Sequence, residues 1–339
     1  MAPSTPPPEQ ILMQMATGKW VSKALSLVAD LAIPDRLNTG PRPADELASE
    51  TKVSADGLYR LLRASAAVGV LTELPDRRFE NNALSNLLRS DVPGSLRGMV
   101  RWLGEDSAWQ AWGRLDYSVT TGQPAFDHVL GAPVFDHFKR HPDAGQIFNA
   151  AMVSFTVITG RAVAQAYDFS GFTNIVDVGG GHGALLAAIA AAHPRVRGIV
   201  FDRPEVVAGA APLLASQGLG DRIGTAGGDF LEAVPPGADA YIMKHIIHDW
   251  DDARSMTILS NCKRAMAPGG TVLVVEQVVS DQPEAAFSKL IDLEMLVMTA
   301  GGRERTAPEF ARLLDRAGLR MTRVVPTHSP VAIVEAVSA

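Results

Sequence analysis

The stretch NIVDVGGGHGALLAAIAAAH, residues 174–193, decides the fold that the sequence predicts. Its first residues form the apolar run of a strand buried in a parallel sheet, and its last residues form the Ala-, Leu- and Ile-rich run of a buried helix. Between them lie Gly179, Gly180, Gly181 and Gly183, where a sharp turn and close backbone approach to a ligand need residues without a Cβ atom. The stretch therefore predicts a strand, a tight loop and a helix, with a ligand at the N-terminus of that helix.

The chain after this stretch repeats the alternation of strand and helix. The runs GIVF (198–201), ADAYIMK (238–244) and GTVLVVEQ (270–277) are predicted as strands, with amphipathic helical segments such as DARSMTILSNCKRAM between them. The C-terminal RMTRVVPTHSPVAIVEAV contains two adjacent strands, so the last strand should be antiparallel. We expect residues 166–339 to form an α/β domain with a doubly wound sheet that binds its ligands at the carboxyl ends of the strands.

The N-terminal half has a different pattern. Residues 15–165 show helical periodicity, and LTELPDRRFENN (71–82) predicts a small hairpin, a combination typical of a winged helix. Residues 1–110 contain 12 Lys and Arg against 13 Asp and Glu, so the surplus of cations that DNA binding needs is missing. We therefore expect a packing or dimerisation domain with no nucleic acid partner, preceded by a disordered Pro-rich tail over residues 1–14.

The composition narrows the class of protein. The chain of 339 residues is long enough for two domains, and its formal net charge of −6 gives no polybasic surface for nucleic acid or anionic membrane. A single cysteine, Cys262, excludes disulfides and thiolate metal clusters. No signal peptide and no apolar run near the roughly 20 residues of a membrane helix is evident, so we expect a cytoplasmic protein with no membrane partner.

Acidic residues after the predicted strands indicate what the glycine loop binds. Asp177 precedes the first glycine, where a carboxylate disfavours a pyrophosphate and favours a ligand with an ammonium and a sulfonium. Asp202 ends the next strand, where it can accept both hydroxyls of a ribose, and Asp229 and Phe230 offer an acid and a ring to an adenine. These positions favour S-adenosylmethionine as the cofactor. The loop also fits the pattern G-x-G-x-x-A, which keeps NAD open as an alternative.

A second stretch, YIMKHIIHDWDD (241–252), pairs two histidines with three carboxylates. His245 and His248 could belong to a metal site completed by acids from other strand ends. One of them could instead be a catalytic base in a charged pocket. Asp251 and Asp252 need no function beyond the start of a helix, where acids cap exposed amides and favour the dipole.

Six motifs occur in a fixed order: DVGGGHG, FDRPEV, GGDF, KHIIHDWDD, APGGTVLVVEQVV and GGRERTAPEF. In these the chain resembles the S-adenosylmethionine-dependent O-methyltransferases typified by plant caffeic acid O-methyltransferase. The upstream WGRLDYSVTTGQPAFDHVLGAPVFDHF resembles the bacterial branch that modifies antibiotics and other secondary metabolites. The resemblance runs from about residue 15 to the end, and it implies a Rossmann-like class I methyltransferase fold with an N-terminal winged-helix dimerisation domain.

The resemblance also implies the role of individual residues. His248 matches the general base, Glu276 and Glu304 match the two acids that orient it, and His245 has no catalytic match. Together with Asp177, the cofactor positions are Gly179, Gly181, Asp202, Asp229, Phe230 and Lys244. The positions that line the substrate pocket are Met152, Phe155, Asp249, Trp250, Met295 and Thr299. The implied reaction methylates a hydroxyl, expected to be phenolic, of a small aromatic secondary metabolite, and it needs no metal.

Members of the family form homodimers in which N-terminal residues of one chain close the substrate pocket of the other. The first predicted helix, Gln14 to Leu31, agrees with this, because its apolar residues exceed one buried stripe. We therefore expect a homodimer. Two alternatives remain, an NAD-dependent oxidoreductase and a winged-helix regulator that binds S-adenosylmethionine without catalysis. A supported base formed by His248, Glu276 and Glu304 argues against the regulator.

Overall fold

The computed structural model describes residues 6–280 and 286–339. The chain forms two compact units, the first of which runs to Trp109 and includes Gln146–Ser154. The second comprises Gln110–Gly145 and Phe155–Ala339. The domain limits that the sequence suggests, near residue 165, stay a prediction.

Helices dominate the first unit. Its elements are α1 (Pro8–Asp30), α2 (Ile33–Arg36), β1 (Arg42–Pro43), α3 (Ala44–Thr51), α4 (Ala55–Ala67), β2 (Leu71–Leu74), β3 (Arg78–Asn81), α5 (Ala83–Asn86) and α6 (Arg97–Leu103). Strands β2 and β3 pair antiparallel as the predicted hairpin, and β1 joins β3 at its other edge. Ser54 accepts a hydrogen bond from the backbone N–H of Gly57 and caps α4. Buried Leu47, Leu62 and Phe79 join the helices to the hairpin.

Helix α1 begins at Pro8, earlier than the Gln14 start that the sequence suggests. The tail that we expect to be disordered over residues 1–14 is therefore helical from Pro8 onward, and residues 1–5 lie outside the described part of the chain. The physical reason is that proline fits the first turn of a helix, where its missing N–H has no partner to lose, and Glu9 favours the positive end of the dipole. A Pro-rich composition alone therefore misled the prediction.

The surface of α1 is unusually apolar. Val28 and Ala29 are fully buried in the first unit, but other large apolar side chains of the helix each remain at least 45% exposed: Leu12, Met13, Met15, Trp20 and Leu27. Such a patch is stabilised when another surface covers it.

A run of helices follows: α7 (Asp106–Trp112), α8 (Leu115–Thr121), α9 (Ala125–Leu130), α10 (Val134–Arg140) and α11 (Pro142–Ala166). By length and a mean hydropathy of 1.4, α11 could cross a membrane, so the expectation that the chain contains no such segment is wrong. No uninterrupted apolar run marks this helix in the sequence, because Gln146, Asn149 and Ser154 interrupt the apolar residues. The core helix of a soluble protein meets the same criteria, and the absence of a membrane partner stays a prediction.

The second unit contains the alternating elements. They are β4 (Asn174–Val178), α12 (Ala184–Ala192), β5 (Arg197–Asp202), α13 (Pro204–Val207), α14 (Ala210–Ser216), β6 (Ile223–Gly227), β7 (Ala240–Lys244), α15 (Asp252–Ala265), β8 (Thr271–Glu276), β9 (Val278–Val279), α16 (Ala286–Met298), β10 (Arg305–Thr306), α17 (Ala307–Arg316), β11 (Leu319–Pro326) and β12 (Ala332–Ser338). Within the described residues they build a seven-stranded sheet of order β11-β12-β8-β7-β4-β5-β6. Its strands are parallel except β12, which is antiparallel to β8 and β11. The doubly wound sheet and its antiparallel last strand are confirmed.

Strand β4 lies at the point where the winding reverses. The chain passes from β4 to β5 and β6 on one side and then to β7 and β8 on the other, so a crevice forms beyond the carboxyl ends of these strands. Side chains alternate between the faces: Ile175 joins one apolar cluster and Val176 the other. Burial of both faces fixes the strand ends that carry the site.

Candidate active site

The glycine loop between β4 and α12 passes through three left-handed residues. Gly179, Gly181 and Gly183 have φ values of 66°, 57° and 81°, which residues with a Cβ atom avoid. A Cβ atom on Gly179 would also lie 2.3 Å from Cδ1 of Ile246, whereas the space around Gly181 is open within 4 Å. The loop therefore leaves room for a ligand at the start of α12.

Asp202, the last residue of β5, fixes this loop. Its Oδ2 accepts a 2.8 Å hydrogen bond from the N–H of Gly181, and its Oδ1 accepts a 2.7 Å bond from the N–H of Arg203. Burial raises the pKa of Asp202 against the effect of these two donors. Each carboxylate oxygen keeps a further lone pair, so the side chain can still accept from a ligand's hydroxyls.

Two charged groups beside the loop offer atoms that have no hydrogen-bond partner among the described residues. The Oδ2 atom of Asp177 is buried and unpaired, and burial raises the pKa of this acid to about 7. Lys244 ends β7 with its Nζ 5.3 Å from the centre of the Phe155 ring, and burial lowers its pKa to about 8. Because an unpaired buried polar group costs about 1–3 kcal/mol, both groups suit a ligand of opposite charge.

The predicted adenine contacts follow β6. Asp229 is exposed, and its Oδ1 accepts a 2.8 Å bond from the N–H of Leu231, which makes a turn. Phe230 is half-buried, and Asn261 holds its backbone oxygen at 2.9 Å. Its ring meets the ring of Trp250 edge-on, with 6.0 Å between centres.

His248 lies on a short 3-10 turn, Ile247–Asp249, directly after β7. Its side chain is buried, and its Nδ1 lies 2.7 Å from Oε1 of Glu304 and 3.7 Å from Oε2 of Glu276. Its Nε2 lies 3.6 Å from Oδ1 of Asp249. The structure thus brings together the histidine and the two acids that the sequence suggests as a unit.

The acids around His248 determine its charge. Burial lowers the pKa of His248, but the negative charges of Glu276, Asp249 and Glu304 outweigh burial and raise that pKa to about 10. Burial raises the pKa of Asp249 to about 7 and also raises that of Glu304. Burial also raises the pKa of Glu276, but the interactions with His248 and His245 outweigh burial and hold that pKa at about 2. The pocket therefore favours an imidazolium beside an ionised Glu276.

Glu276, at the end of β8, also shapes the turn that carries His248. Its Oε1 accepts hydrogen bonds from the N–H groups of Ile246 and Ile247, both at 3.0 Å, and of His248 at 3.4 Å. Its Oε2 lies 3.2 Å from Nδ1 of His245, close enough for the two side chains to shift each other's pKa. One carboxylate thus orients the imidazole electrostatically and holds the backbone beneath it.

Arg305 supports the same turn from the other side, and the sequence analysis does not single it out. It is only 1% exposed and donates to the backbone oxygens of Ile247 and Trp250, both at 3.0 Å, and to Oδ1 of Asp252 at 2.9 Å. Asp252 therefore does more than open α15, whereas Asp251 caps that helix as expected. The sequence signal was the motif GGRERT itself, in which Arg305 follows Glu304.

The predicted pocket residues lie on several elements. In the second unit, the ring of Phe155 is 5.3 Å from the ring of His245, and the ring of Trp250 stacks 6.2 Å from that of Phe135, which was not predicted. Met152 belongs to the first unit, and its place in a substrate pocket stays a prediction.

The other predicted pocket residues lie on helix α16 or directly after it. Met295 and Thr299 are each 8% exposed, and a Cβ atom on Gly302 would lie 2.1 Å from Oγ1 of Thr299 and 2.5 Å from the backbone oxygen of His248. This close contact holds the end of α16 against the turn. Glu294 on the same helix, also not predicted, accepts a hydrogen bond from the indole of Trp112.

A metal ion is the competing use of this pocket. His245, His248 and Glu276 each offer one ligand atom, and these atoms lie within 4.8 Å of one another. Against this, the Nδ1 of His248 and the Oε1 of Glu276 already have protein partners. The prediction that the site needs no metal stays a prediction.

Comparison with known proteins gives one family. The O-methyltransferase domain profile matches residues 112–320, and the O-methyltransferase dimerisation domain profile matches residues 13–91. A phenazine O-methyltransferase of Lysobacter antibioticus is 44% identical over 97% of this chain and 96% of its own. The mitomycin biosynthesis 6-O-methyltransferase of Streptomyces lavendulae is 40% identical over 96% of this chain and 94% of its own.

Solved structures agree with the sequence relatives. An O-methyltransferase from neocarzinostatin biosynthesis, in complex with S-adenosylmethionine and 2-hydroxy-5-methyl naphthoic acid, superposes with a TM-score of 0.80 at 31% identity, over 94% of this chain and 96% of that chain. Relatives at 35–37% identity also include methyltransferases that act on nitrogen.

Proposed function

The chain belongs to the S-adenosylmethionine-dependent O-methyltransferase family, and on that premise we propose that His248 is the base with which it methylates a phenolic hydroxyl. It is a methyltransferase with S-adenosylmethionine as cofactor, and its relatives act on aromatic secondary metabolites, mostly at oxygen. Family membership replaces the alternatives of an NAD-dependent oxidoreductase and of a non-catalytic regulator.

The residues at the glycine loop fit the cofactor. The unpaired carboxylate of Asp177 suits its ammonium, Lys244 suits its carboxylate, and Asp202 suits its ribose hydroxyls. Around these groups, the loop and the adenine end of the site would be formed by Gly179, Gly181, Asp229 and Phe230. When bound, S-adenosylmethionine supplies a methyl group that the positive charge of its sulfonium already activates.

The Nε2 atom of His248 takes the proton of the acceptor hydroxyl, because the Nδ1 atom faces Glu304. The acids around His248 raise its pKa toward the value of about 10 that a phenol has, which makes the imidazole a stronger base for this proton. A cation bound beside the base lowers the pKa of His248 and favours its neutral form. Glu276 and Glu304 then stabilise the imidazolium that the reaction produces.

The rest of the pocket positions the acceptor. Phe155, Trp250, Met295 and Thr299 offer largely apolar walls to an aromatic ring, and Asp249 lies 3.6 Å from Nε2 of the base. Such walls exclude water and hold the acceptor oxygen in line with the transferred methyl group. The proximity of these reacting groups supplies much of the rate.

The observation that carries the proposal is the buried 2.7 Å contact between His248 and Glu304 at the carboxyl end of the sheet. The test is methyl transfer from labelled S-adenosylmethionine to a panel of phenols and matched anilines, with and without a chelator. We expect transfer to phenols that the chelator does not change. Transfer to amines alone would contradict a hydroxyl acceptor, and loss of activity that a divalent ion restores would support a metal centre at His245, His248 and Glu276.

The chain carries the family's dimerisation domain, and we further propose that it forms a homodimer through α1 and that this assembly completes the substrate pocket. The exposed apolar patch of α1 supports this, because a two-fold pair would use and cover it twice. Light scattering at micromolar concentration should give a dimer, and removal of residues 1–34 should cost both solubility and activity. A fully active monomer of 36.1 kDa would contradict it.

A further inference from the structure

We propose that His245 recognises a second polar group of the acceptor, a hydrogen-bond donor adjacent to the hydroxyl that is methylated, and so determines which aromatic compounds react. The proposal rests on the methyl transfer proposed above and assigns a residue that this reaction does not itself use.

The first observation is that one nitrogen of the buried His245 imidazole has no partner. The side chain is 8% exposed, and while Nδ1 lies 3.2 Å from Oε2 of Glu276, Nε2 makes no hydrogen bond with any residue that the structure describes. Leaving such a group unpaired costs about 1–3 kcal/mol, which an apolar side chain of similar size would avoid. A polar ring at this position is explained if a ligand provides the missing partner.

The second observation is the backbone of His245, which has a φ of 55°. A left-handed conformation is unfavourable for a residue with a Cβ atom, and here the sheet imposes it, since the N–H of His245 donates to the oxygen of Val275 at 3.2 Å. The ring lies 4.9 Å from the ring of His248 and 5.3 Å from that of Phe155. It therefore stands beside the base and beside Phe155, one of the predicted pocket residues.

The third observation gives the chemistry of the ligand. Oε2 of Glu276 lies 3.2 Å from Nδ1 of His245. Burial and then the charge of Lys244 lower the pKa of His245 to about 3, so the ring is neutral. A neutral imidazole keeps its proton on the nitrogen that faces a carboxylate, which leaves Nε2 as a hydrogen-bond acceptor. The group that pairs with it must be a donor, such as a second hydroxyl or an N–H.

The experiment compares matched acceptors. Each aromatic scaffold is offered as an adjacent dihydroxy compound and as its monohydroxy analogue, for example catechol with phenol and 2,3-dihydroxynaphthalene with 2-naphthol. We expect the full-length protein to favour the dihydroxy member of the pair. In His245→Phe, which keeps a ring but offers no acceptor, the ratio of the two kcat/KM values should fall about tenfold or more.

His245→Asn is the matched second variant, because asparagine tolerates the left-handed backbone and its side-chain oxygen can accept a hydrogen bond. It should restore part of the preference, which a merely structural role of His245 would not do. Calorimetric titration with S-adenosylhomocysteine should give the same affinity for both variants and the wild type.

An unchanged ratio in His245→Phe, or a loss of cofactor affinity in place of acceptor preference, would overturn the inference while leaving methyl transfer intact. Failure of the wild-type protein to methylate any compound of the panel would instead remove the proposed function and this inference with it.

Discussion

The glycine-loop edge, which comprises the glycine loop with Asp177, Asp202 and Lys244, lies at the same end of the sheet as the His248 pocket. The two regions differ in how their charged side chains are paired. At the edge, Oδ2 of Asp177 and Nζ of Lys244 have no hydrogen-bond partner among the described residues. In the pocket, His248, Glu276 and Glu304 surround one another within hydrogen-bonding or ion-pair distance. The edge therefore offers its charges to a ligand, whereas in the pocket the charges of the protein pair with one another. Binding and turnover should accordingly be separable by substitution.

The largest effect should come from the centre of the pocket. His248→Ala removes the base but touches no residue of the glycine loop, so turnover should fall by a factor on the order of 10² to 10⁴ with cofactor affinity nearly intact. Steady-state rates with calorimetric titration of the cofactor check this. Near-normal turnover would show that another group takes the proton.

The next largest effect should be on stability, and it tests whether Arg305 supports the turn that carries His248. Arg305→Leu removes the 3.0 Å donors of the Ile247 and Trp250 backbone oxygens, which keep only donors at 3.3 Å, and it also removes the ion pair with Asp252. It should lower the free energy of unfolding by about 2–3 kcal/mol, a value reduced for the partial exposure of Asp252. Arg303→Leu is the matched control, because Arg303 is 46% exposed and approaches the same Asp252 at 3.4 Å, so it should cost about 0.5 kcal/mol or less. Urea unfolding measures both, and equal losses would contradict the role of Arg305.

At the edge the order of effects should reverse. Asp202→Ala removes a buried carboxylate that holds the loop through Gly181, so cofactor affinity should fall about 10- to 100-fold, as expected for the loss of a charged hydrogen bond. Turnover at saturating cofactor should change much less. If turnover falls as far as in His248→Ala, the two regions are not separable.

The smallest predicted change is a shift in pH dependence. His248 acts as a base only after it loses its proton, so kcat/KM should rise with pH as the imidazolium titrates. The negative charge of Glu304 contributes to the raised pKa of His248, and Glu304→Gln should therefore move the rise to lower pH by on the order of one unit. The plateau should drop about tenfold because the ring is less well oriented. A pH–rate profile that keeps its midpoint would contradict the charge assigned to Glu304.

The same pair has a consequence for stability. The pKa of His248 is about 10 in the folded protein, above the ordinary value of about 6.5. Its contribution to folding is therefore complete below about pH 6.5 and is lost as the pH rises toward 10. Stability of the wild-type protein over that window should decline more steeply than that of Glu304→Gln.

The sequence predicted those features of the site that depend on local structure. Asp177 and Asp202 follow from the position of acids at strand ends, and the glycine loop follows from backbone conformation. The pairing of Arg305 with Asp252 could not be predicted, because 53 residues separate them and no periodicity links them. The proximity of His248 to Glu304 came only from the resemblance to a family.

The predictions that were wrong relied on the composition of a segment and not on its helical geometry. The Pro-rich N-terminus suggests disorder, yet Pro8 opens a helix of 23 residues. Polar residues inside α11 break its apolar run, so a count of uninterrupted apolar residues misses a helix whose mean hydropathy is high.

The three backbone N–H groups that donate to Glu276 determine which residue can be replaced without loss of the turn. Its carboxylate is part of the scaffold, whereas the side chain of His248 holds no backbone group. A folded but inactive version, useful for trapping an acceptor in a crystal, should therefore carry a replacement at His248 and keep Glu276. For the same reason a descendant that abandoned methyl transfer would lose the charge pairing of His248 if it lost the histidine, but it would lose the support of the turn itself only with the glutamate.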